Sequence, residues 1–254
     1  MQLDGQIAVV TGGASGLGEG VVREFTAAGA KVAIFDLQEE LGSKLAAETG
    51  GIFCQCDVAS EEQIAAALAQ TREELGVPRI LVNCAGIAIA VKTTSRGKAH
   101  PLDQWERIIR VNLIGSFNCI RLAATDMVAL EPLADGERGV IINTASAAAY
   151  DGQIGQSAYS ASKGGVVGMT LPIARDLSDK GVRVCTIAPG LFKTPLLMAT
   201  LSPEAKASLE AMVPFPKKLG EPSEFAQLSR QIVENVMLNG ETIRLDGAIR
   251  MAPR

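Results

Sequence analysis

Tyr159 and Lys163 stand four residues apart, a spacing that puts both on one face of a helix and brings the ammonium near the phenol. A free phenol has a pKa of about 10, and a neighbouring cation favours its ionised form. Such a pair is suited to pass a proton to or from a substrate oxygen. Ser146 precedes Tyr159 by thirteen residues and closes the run Val140-Ile141-Ile142-Asn143-Thr144-Ala145-Ser146, where its hydroxyl can hold an oxygen that gains negative charge. The Tyr-Lys spacing also occurs on ordinary exposed helix faces. Ser160-Ala161-Ser162-Lys163 read by itself is the Ser-x-x-Lys of an acyl-transferring hydrolase, but the chain has neither a Ser-Asp-Asn nor a Lys-Thr-Gly companion.

A second cluster is Thr11-Gly12-Gly13-Ala14-Ser15-Gly16-Leu17-Gly18, directly after an apolar run and before the helical pattern of Val21, Val22 and Phe25. Glycines here let a turn tighten, and they let backbone amides at a helix N-terminus approach a pyrophosphate. An ordinary tight strand-to-helix turn has the same look. Asp36, twenty residues past Gly16 at the end of the next apolar run, favours the dinucleotide reading because its carboxylate can accept bonds from an adenosine ribose. It would repel a 2′-phosphate, and neither Ser15 nor Leu37 supplies a cation, so NAD is expected over NADP.

The elements that must position these residues follow from seven apolar, β-branched runs: Ile7 to Val10, Val32 to Phe35, Ile52 to Gln55, Ile80 to Val82, Val140 to Asn143, Val182 to Ile187 and Thr242 to Leu245. Between them lie helical patterns such as Ser60 to Leu75, which opens with Ser60 and Gln63 in capping-box register. Strands hydrophobic throughout, instead of alternating, are buried on both faces. The expected fold is therefore α/β: one doubly wound, seven-stranded parallel sheet with helices on both faces. Two segments break the alternation, both leaving carboxyl ends of strands, where open sheets bind ligands. Ala88 to Asp103 is a polar insertion with Lys92, Arg96, Lys98 and His100. Leu191 to Leu219 mixes Phe192, Leu196, Leu197, Met198, Val213 and Phe215 with four prolines, and is expected to bind substrate.

With 254 residues, 47% of them apolar and 20% charged, the chain can build a large core and is not disordered; residues 1–254 are expected to form a single domain. A net charge of −4 without a basic run argues against nucleic acid or an anionic membrane as partner. No apolar stretch reaches the roughly 18 residues that span a bilayer. The N-terminal residues carry no Lys or Arg before Arg23 and resemble neither a signal nor a transit peptide, so the cytoplasm is the expected compartment. Five cysteines without a C-x-x-C, and a single His, leave no metal site to expect; Cys54 and Cys56 read as packing thiols, Trp105 as a helix packing residue and His100 as a solvated loop residue.

Taken together, Thr11-Gly12-x-x-x-Gly16-x-Gly18, Asn83-Cys84-Ala85-Gly86, Asn112, Ser146, Tyr159-x-x-x-Lys163 and Pro189-Gly190 resemble the short-chain dehydrogenase/reductases over essentially the whole chain. Cys84 departs from the family, which usually has a second Asn there. Finer likeness in Arg138 to Ser146, Ala158 to Leu177, Ile187 to Phe192 and Asn239 to Met251 is to the type II 3-hydroxyacyl-CoA dehydrogenases, also termed type 10 17β-hydroxysteroid dehydrogenases. That resemblance implies a Rossmann fold, a homotetramer and an acyl-CoA or steroid substrate. It implies coenzyme contacts at Gly12, Ser15, Gly16, Leu17, Gly18, Asp36, Asp57, Val58, Cys84, Tyr159, Lys163, Phe192 and Thr194, and a substrate contact at Ser146. By the same resemblance Tyr159 transfers the proton, Lys163 binds the nicotinamide ribose and depresses the Tyr159 pKa, and Asn112, within the preceding helix, holds a water. A catalytically silent nucleotide-binding module is the competing reading, and retention of all four catalytic positions speaks against it. Gly164, Gly165 and Gly168 are expected on a subunit-packing face.

Overall fold

The computed structural model describes residues 1–198 and 202–253. Seven strands form one parallel sheet: β1 (Ile7–Thr11), β2 (Lys31–Asp36), β3 (Ile52–Gln55), β4 (Ile80–Asn83), β7 (Gly139–Thr144), β8 (Val182–Pro189) and β9 (Thr242–Leu245), in the order β3-β2-β1-β4-β7-β8-β9. Each contains its expected apolar run. Strands β4, β7 and β8 are buried at every position, so their side chains meet helices on both faces. One face is covered by α1 (Gly16–Ala27), α2 (Glu39–Thr49) and α9 (Pro222–Glu234), with Phe25, Leu45 and Phe225 in its core. The other is covered by α3 (Glu61–Glu74), α5 (Ser116–Val128) and α6 (Ser157–Asp176), with Leu68, Ile120 and Ile173.

Strand order reverses between β1 and β4, which leaves a crevice at their carboxyl ends. A row of polar side chains crosses the sheet just before that edge, with Thr11 beside Asn83, Asn83 beside Asn143 and Asn143 beside Thr186. Asn83 Nδ2 donates to Asn143 Oδ1 at 2.9 Å, and the Thr170 and Thr186 hydroxyls lie 2.6 Å apart. Beyond this row the turns and loops that leave β1, β4 and β7 border the crevice.

The polar insertion is more ordered than its composition indicates: β5 (Thr94–Ser95) and β6 (Lys98–Ala99) form a small antiparallel hairpin, followed by α4 (Leu102–Ile109). Its two-residue turn, Arg96-Gly97, has φ of 51° and 73°, the left-handed pair that matches strand twist. The cap of α3 also differs in part. Ser60 Oγ accepts from Gln63 N as expected, but the Gln63 side chain accepts from Asp57 N at 2.8 Å and leaves the capping box half-formed. Within the expected substrate segment the chain forms α7 (Pro195–Met198) and α8 (Pro203–Met212); residues 199–201 and the Leu196 side chain lie outside the described positions. Phe192 and Val213 are buried in it, whereas Phe215 is exposed. Among the described residues no helix is long and apolar enough to cross a membrane, and no group of acidic, His and Cys side chains could hold a metal ion.

Candidate active site

The glycine turn after β1 is packed to hard contact. A Cβ on Gly12 would lie 2.7 Å from the Ala85 backbone, and one on Gly18 would lie 2.1 Å from Gly12 O. Gly16 adopts φ 57°, left-handed, at the first residue of α1. Ser15 is extended and its side chain makes no capping bond, so the leading N–H groups of α1 point into the crevice without a side-chain partner. Such a cradle favours phosphate. Asp36 closes one end: Oδ2 accepts from Ala14 N and Oδ1 from Gln38 N, both at 3.0 Å. The carboxylate therefore holds the glycine turn in place as well as facing the crevice. Thr194 and Pro195 lie across Gly16, at 3.5 and 3.3 Å from where its Cβ would be.

Ser146 follows β7 by two residues, and Tyr159 and Lys163 lie on α6. The structure brings the three together. The Ser146 hydroxyl faces the Tyr159 phenol and favours its ionised form, and Ser146 Oγ accepts from Ala148 N at 3.1 Å. Lys163 Nζ donates to Thr144 O at 2.7 Å, which fastens α6 to the end of β7, and lies 5.8 Å from the Tyr159 ring centroid. Its burial lowers the Lys163 pKa to about 8. The expected depression of the Tyr159 pKa is not found: burial pushes the phenol above its ordinary value, and the neighbouring Ser146 hydroxyl opposes this only in part. The ammonium uses one of its three N–H groups on the Thr144 carbonyl and lies over the Tyr159 ring.

Asn112 stands in a turn of π-helix, Arg110–Gly115, between α4 and α5, instead of in regular α-helix. There its amide meets the Ile87 backbone twice, Oδ1 accepting from Ile87 N at 2.8 Å and Nδ2 donating to Ile87 O at 2.9 Å. Nδ2 also donates to Ser162 Oγ at 3.1 Å, and Ser162 donates to Tyr159 O at 2.7 Å. Ser162 is thus a site residue that sequence reasoning missed, although its place between Tyr159 and Lys163 on the helix was a signal. Ser160 Oγ, by contrast, is buried with no partner, and Lys163 is committed to Thr144, so the hydrolase pairing is not formed.

The remaining predicted positions divide. Cys84 sits in the crevice wall, where it accepts from Thr144 Oγ1 at 3.6 Å; burial raises its pKa to about 11, which keeps the thiol neutral. Asp57 Oδ1 accepts from Ala59 N, and Val58 is buried against Gly115. Phe192 turns its side chain into the core against Gly220, which restricts it to backbone contact with a ligand. Gly165 is explained within the chain, since a Cβ there would lie 2.7 Å from Leu113, while Gly164 and Gly168 have nothing within 4 Å. Lys92, Arg96 and Lys98 are exposed on the hairpin and its approach.

These features define a Rossmann-like α/β architecture in which a glycine turn suited to phosphate lies beside a Ser146, Tyr159 and Lys163 cluster. The family model described as short chain dehydrogenase matches residues 6–205, and the chain belongs to that family. It is 53% identical over 251 residues to the Drosophila melanogaster "3-hydroxyacyl-CoA dehydrogenase type-2", covering 97% of this chain and 98% of that one. The Homo sapiens protein of the same name is also 53% identical, with 98% and 97% covered. Among solved structures, the 3-hydroxyacyl-CoA dehydrogenase type-2 from Mycobacterium avium superposes with a TM-score of 0.95 at 44% identity, covering 98% of each chain. The protein is an oxidoreductase that uses a nicotinamide coenzyme.

Proposed function

We propose that the chain interconverts 3-hydroxyacyl-CoA and 3-oxoacyl-CoA with NAD as coenzyme. The observation that carries this reading is the meeting of Ser146, Tyr159 and Lys163 at the sheet edge beside the Asp36-bounded glycine turn, in a chain similar along nearly its whole length to enzymes of that name. When bound, the coenzyme supplies or accepts a hydride at the alcohol carbon. Ser146 hydrogen-bonds the substrate oxygen as charge develops on it, a role worth about 3 kcal/mol in comparable sites. Tyr159 gives that oxygen its proton in reduction and takes it in oxidation. Lys163 holds the end of β7 against α6 and presents its charge beneath the tyrosine ring. Asn112, through Ser162, fixes the Tyr159 turn.

Asp36 supports NAD, because its carboxylate would meet a 2′-phosphate with like charge and no cation stands beside it in sequence. Residues 191–219 supply apolar surface for the acyl chain, and Lys92, Arg96 and Lys98 leave the same edge with charge complementary to coenzyme A phosphates. We also propose a homotetramer. Ile114, Phe117 and Leu171 are exposed apolar side chains on or beside α5 and α6, and the open Gly164 and Gly168 would let another helix approach closely. The test is turnover of acetoacetyl-CoA with NADH, followed at the reduced-nicotinamide band, against NADPH and against a steroid ketone. Faster turnover of the steroid would displace the acyl-CoA reading.

A further inference from the structure

Arg244 is the third residue of β9, at the carboxyl edge, and the chemistry above makes no use of it. Its guanidinium joins two separate segments. Nη2 donates to Asp151 Oδ2 at 2.6 Å and to Ile249 O at 3.0 Å, while Nε donates to Asp246 Oδ2 at 2.6 Å. It also lies 5.0 Å from the Tyr150 ring centroid. Asp151 and Tyr150 belong to the loop 147–156, whose two ends lead to Ser146 and Tyr159. Asp246 and Ile249 belong to the turn that follows β9.

That turn is strained. Gly247 and Ala248 both adopt left-handed φ, 58° and 66°, and Ala248 has a Cβ that disfavours it. Asp246 Oδ1 accepts from Ala248 N at 3.0 Å and holds the conformation. A Cβ on Gly190 would lie 2.8 Å from Asp246 Cβ, so the turn abuts the end of β8 as well. The loop is tied to the same region by Gln153 Nε2 donating to Ala252 O and Ile154 N donating to Pro253 O, both at 3.0 Å. Arg244 stands between two carboxylates, all three largely shielded from water; Arg250, which also reaches Asp246, is 62% exposed. Without Arg244 the two acids would face each other and the loop would lose its anchor.

We propose that Arg244 is a positioning residue for the reaction: it fixes loop 147–156 against the 246–249 turn and thereby sets where Ser146 stands relative to Tyr159. The proposal rests on the alcohol–ketone reading for its kinetic consequence but not for its structural one. Arg244→Met should lower kcat for acetoacetyl-CoA about tenfold, because small misplacements of reacting groups are costly, while the Kd for NADH stays within about twofold. Hydrogen exchange should accelerate in 147–156 and not in β1 to β4. Arg244→Lys, able to reach one carboxylate, should recover part of the rate. Asp151→Asn should give a smaller loss by itself and none when added to Arg244→Met, since both break one link. Unchanged exchange in 147–156, additive losses, or a parallel loss of NADH affinity would overturn the proposal. Asp151→Asn decides the matter alone if Arg244→Met does not fold, through faster or unchanged exchange in the loop. Should the wild-type protein fail to reduce acetoacetyl-CoA, the substrate reading falls while the exchange comparison still tests the coupling.

Discussion

Two arginines on neighbouring strands perform the same kind of bonding at opposite ends of the sheet. Arg183, second in β8, is buried at the amino edge, where Nε donates to Glu137 Oε1 at 2.8 Å and the other nitrogens donate to the carbonyls of Ile232, Val233 and Leu238. It thereby caps the carboxyl end of α9, where orphan carbonyls favour a cation. Arg244, near the end of β9, instead gathers Asp151, Asp246 and Ile249 at the carboxyl edge. Arg183 locks the start of β8 to the end of α9 and the segment that follows it. Arg244 locks loop to loop, and those loops lead to the reacting residues. Position along the strand, rather than residue type, separates stability from function, because only carboxyl-end loops border the crevice.

The sharpest test of this contrast is Tyr159→Phe at the carboxyl edge. Turnover should fall about 10³-fold, as expected when a proton donor is lost, with coenzyme binding and unfolding midpoint retained. Near wild-type kcat in that variant would remove Tyr159 from the chemistry. At the amino edge, Arg183→Leu should do the reverse. It removes one of the two cations that meet the buried Glu137, leaving only the Met1 ammonium at 2.6 Å, and strands several helix-end carbonyls, so stability should drop by about 3 kcal/mol in denaturant unfolding, with kcat per folded molecule unchanged. A comparable loss of kcat there would erase the distinction between the edges.

Lys163 belongs to both categories, being buried and beside the chemistry. Its pKa falls from 10.5 to about 8 on folding, so between these values the unfolded chain binds more protons than the native one. Stability then rises with pH across that window, by up to about 1.4 kcal/mol per pH unit, and the full penalty applies below about pH 8. Lys163→Met should abolish this rise, which urea midpoints of the two proteins at pH 7.5, 9 and 10 would measure; parallel profiles would show that the ammonium is not desolvated in the native state. The smallest effect is expected at Asp36. Because it holds Ala14 N as well as facing the crevice, Asp36→Ala should narrow the NAD preference in kcat/KM about tenfold, through lost NAD use more than gained NADP use. Equal wild-type rates with NAD and NADP would refute the assignment of Asp36 to the ribose.

Local signals in the sequence determined the strands, the glycine turn, Asp36 and the Tyr159, Lys163 and Ser146 set. Apolar runs, missing Cβ atoms and i,i+4 spacing are properties of neighbouring residues, and sterics translate them into structure with little ambiguity. The hairpin at Arg96-Gly97 was legible only faintly, since Arg is not among the residues that favour a left-handed φ. What only the tertiary structure decided depends on partners far away in sequence. Asn112 finds Ile87 25 residues back and leaves the α-helical path to do so, and Arg244 finds Asp151 93 residues back. Gly165 is set by Leu113, and the Tyr159 pKa by burial that the sequence does not display. A side chain's chemistry can be read from its name, but its dielectric surroundings and bonding partners exist only once the chain has closed around it.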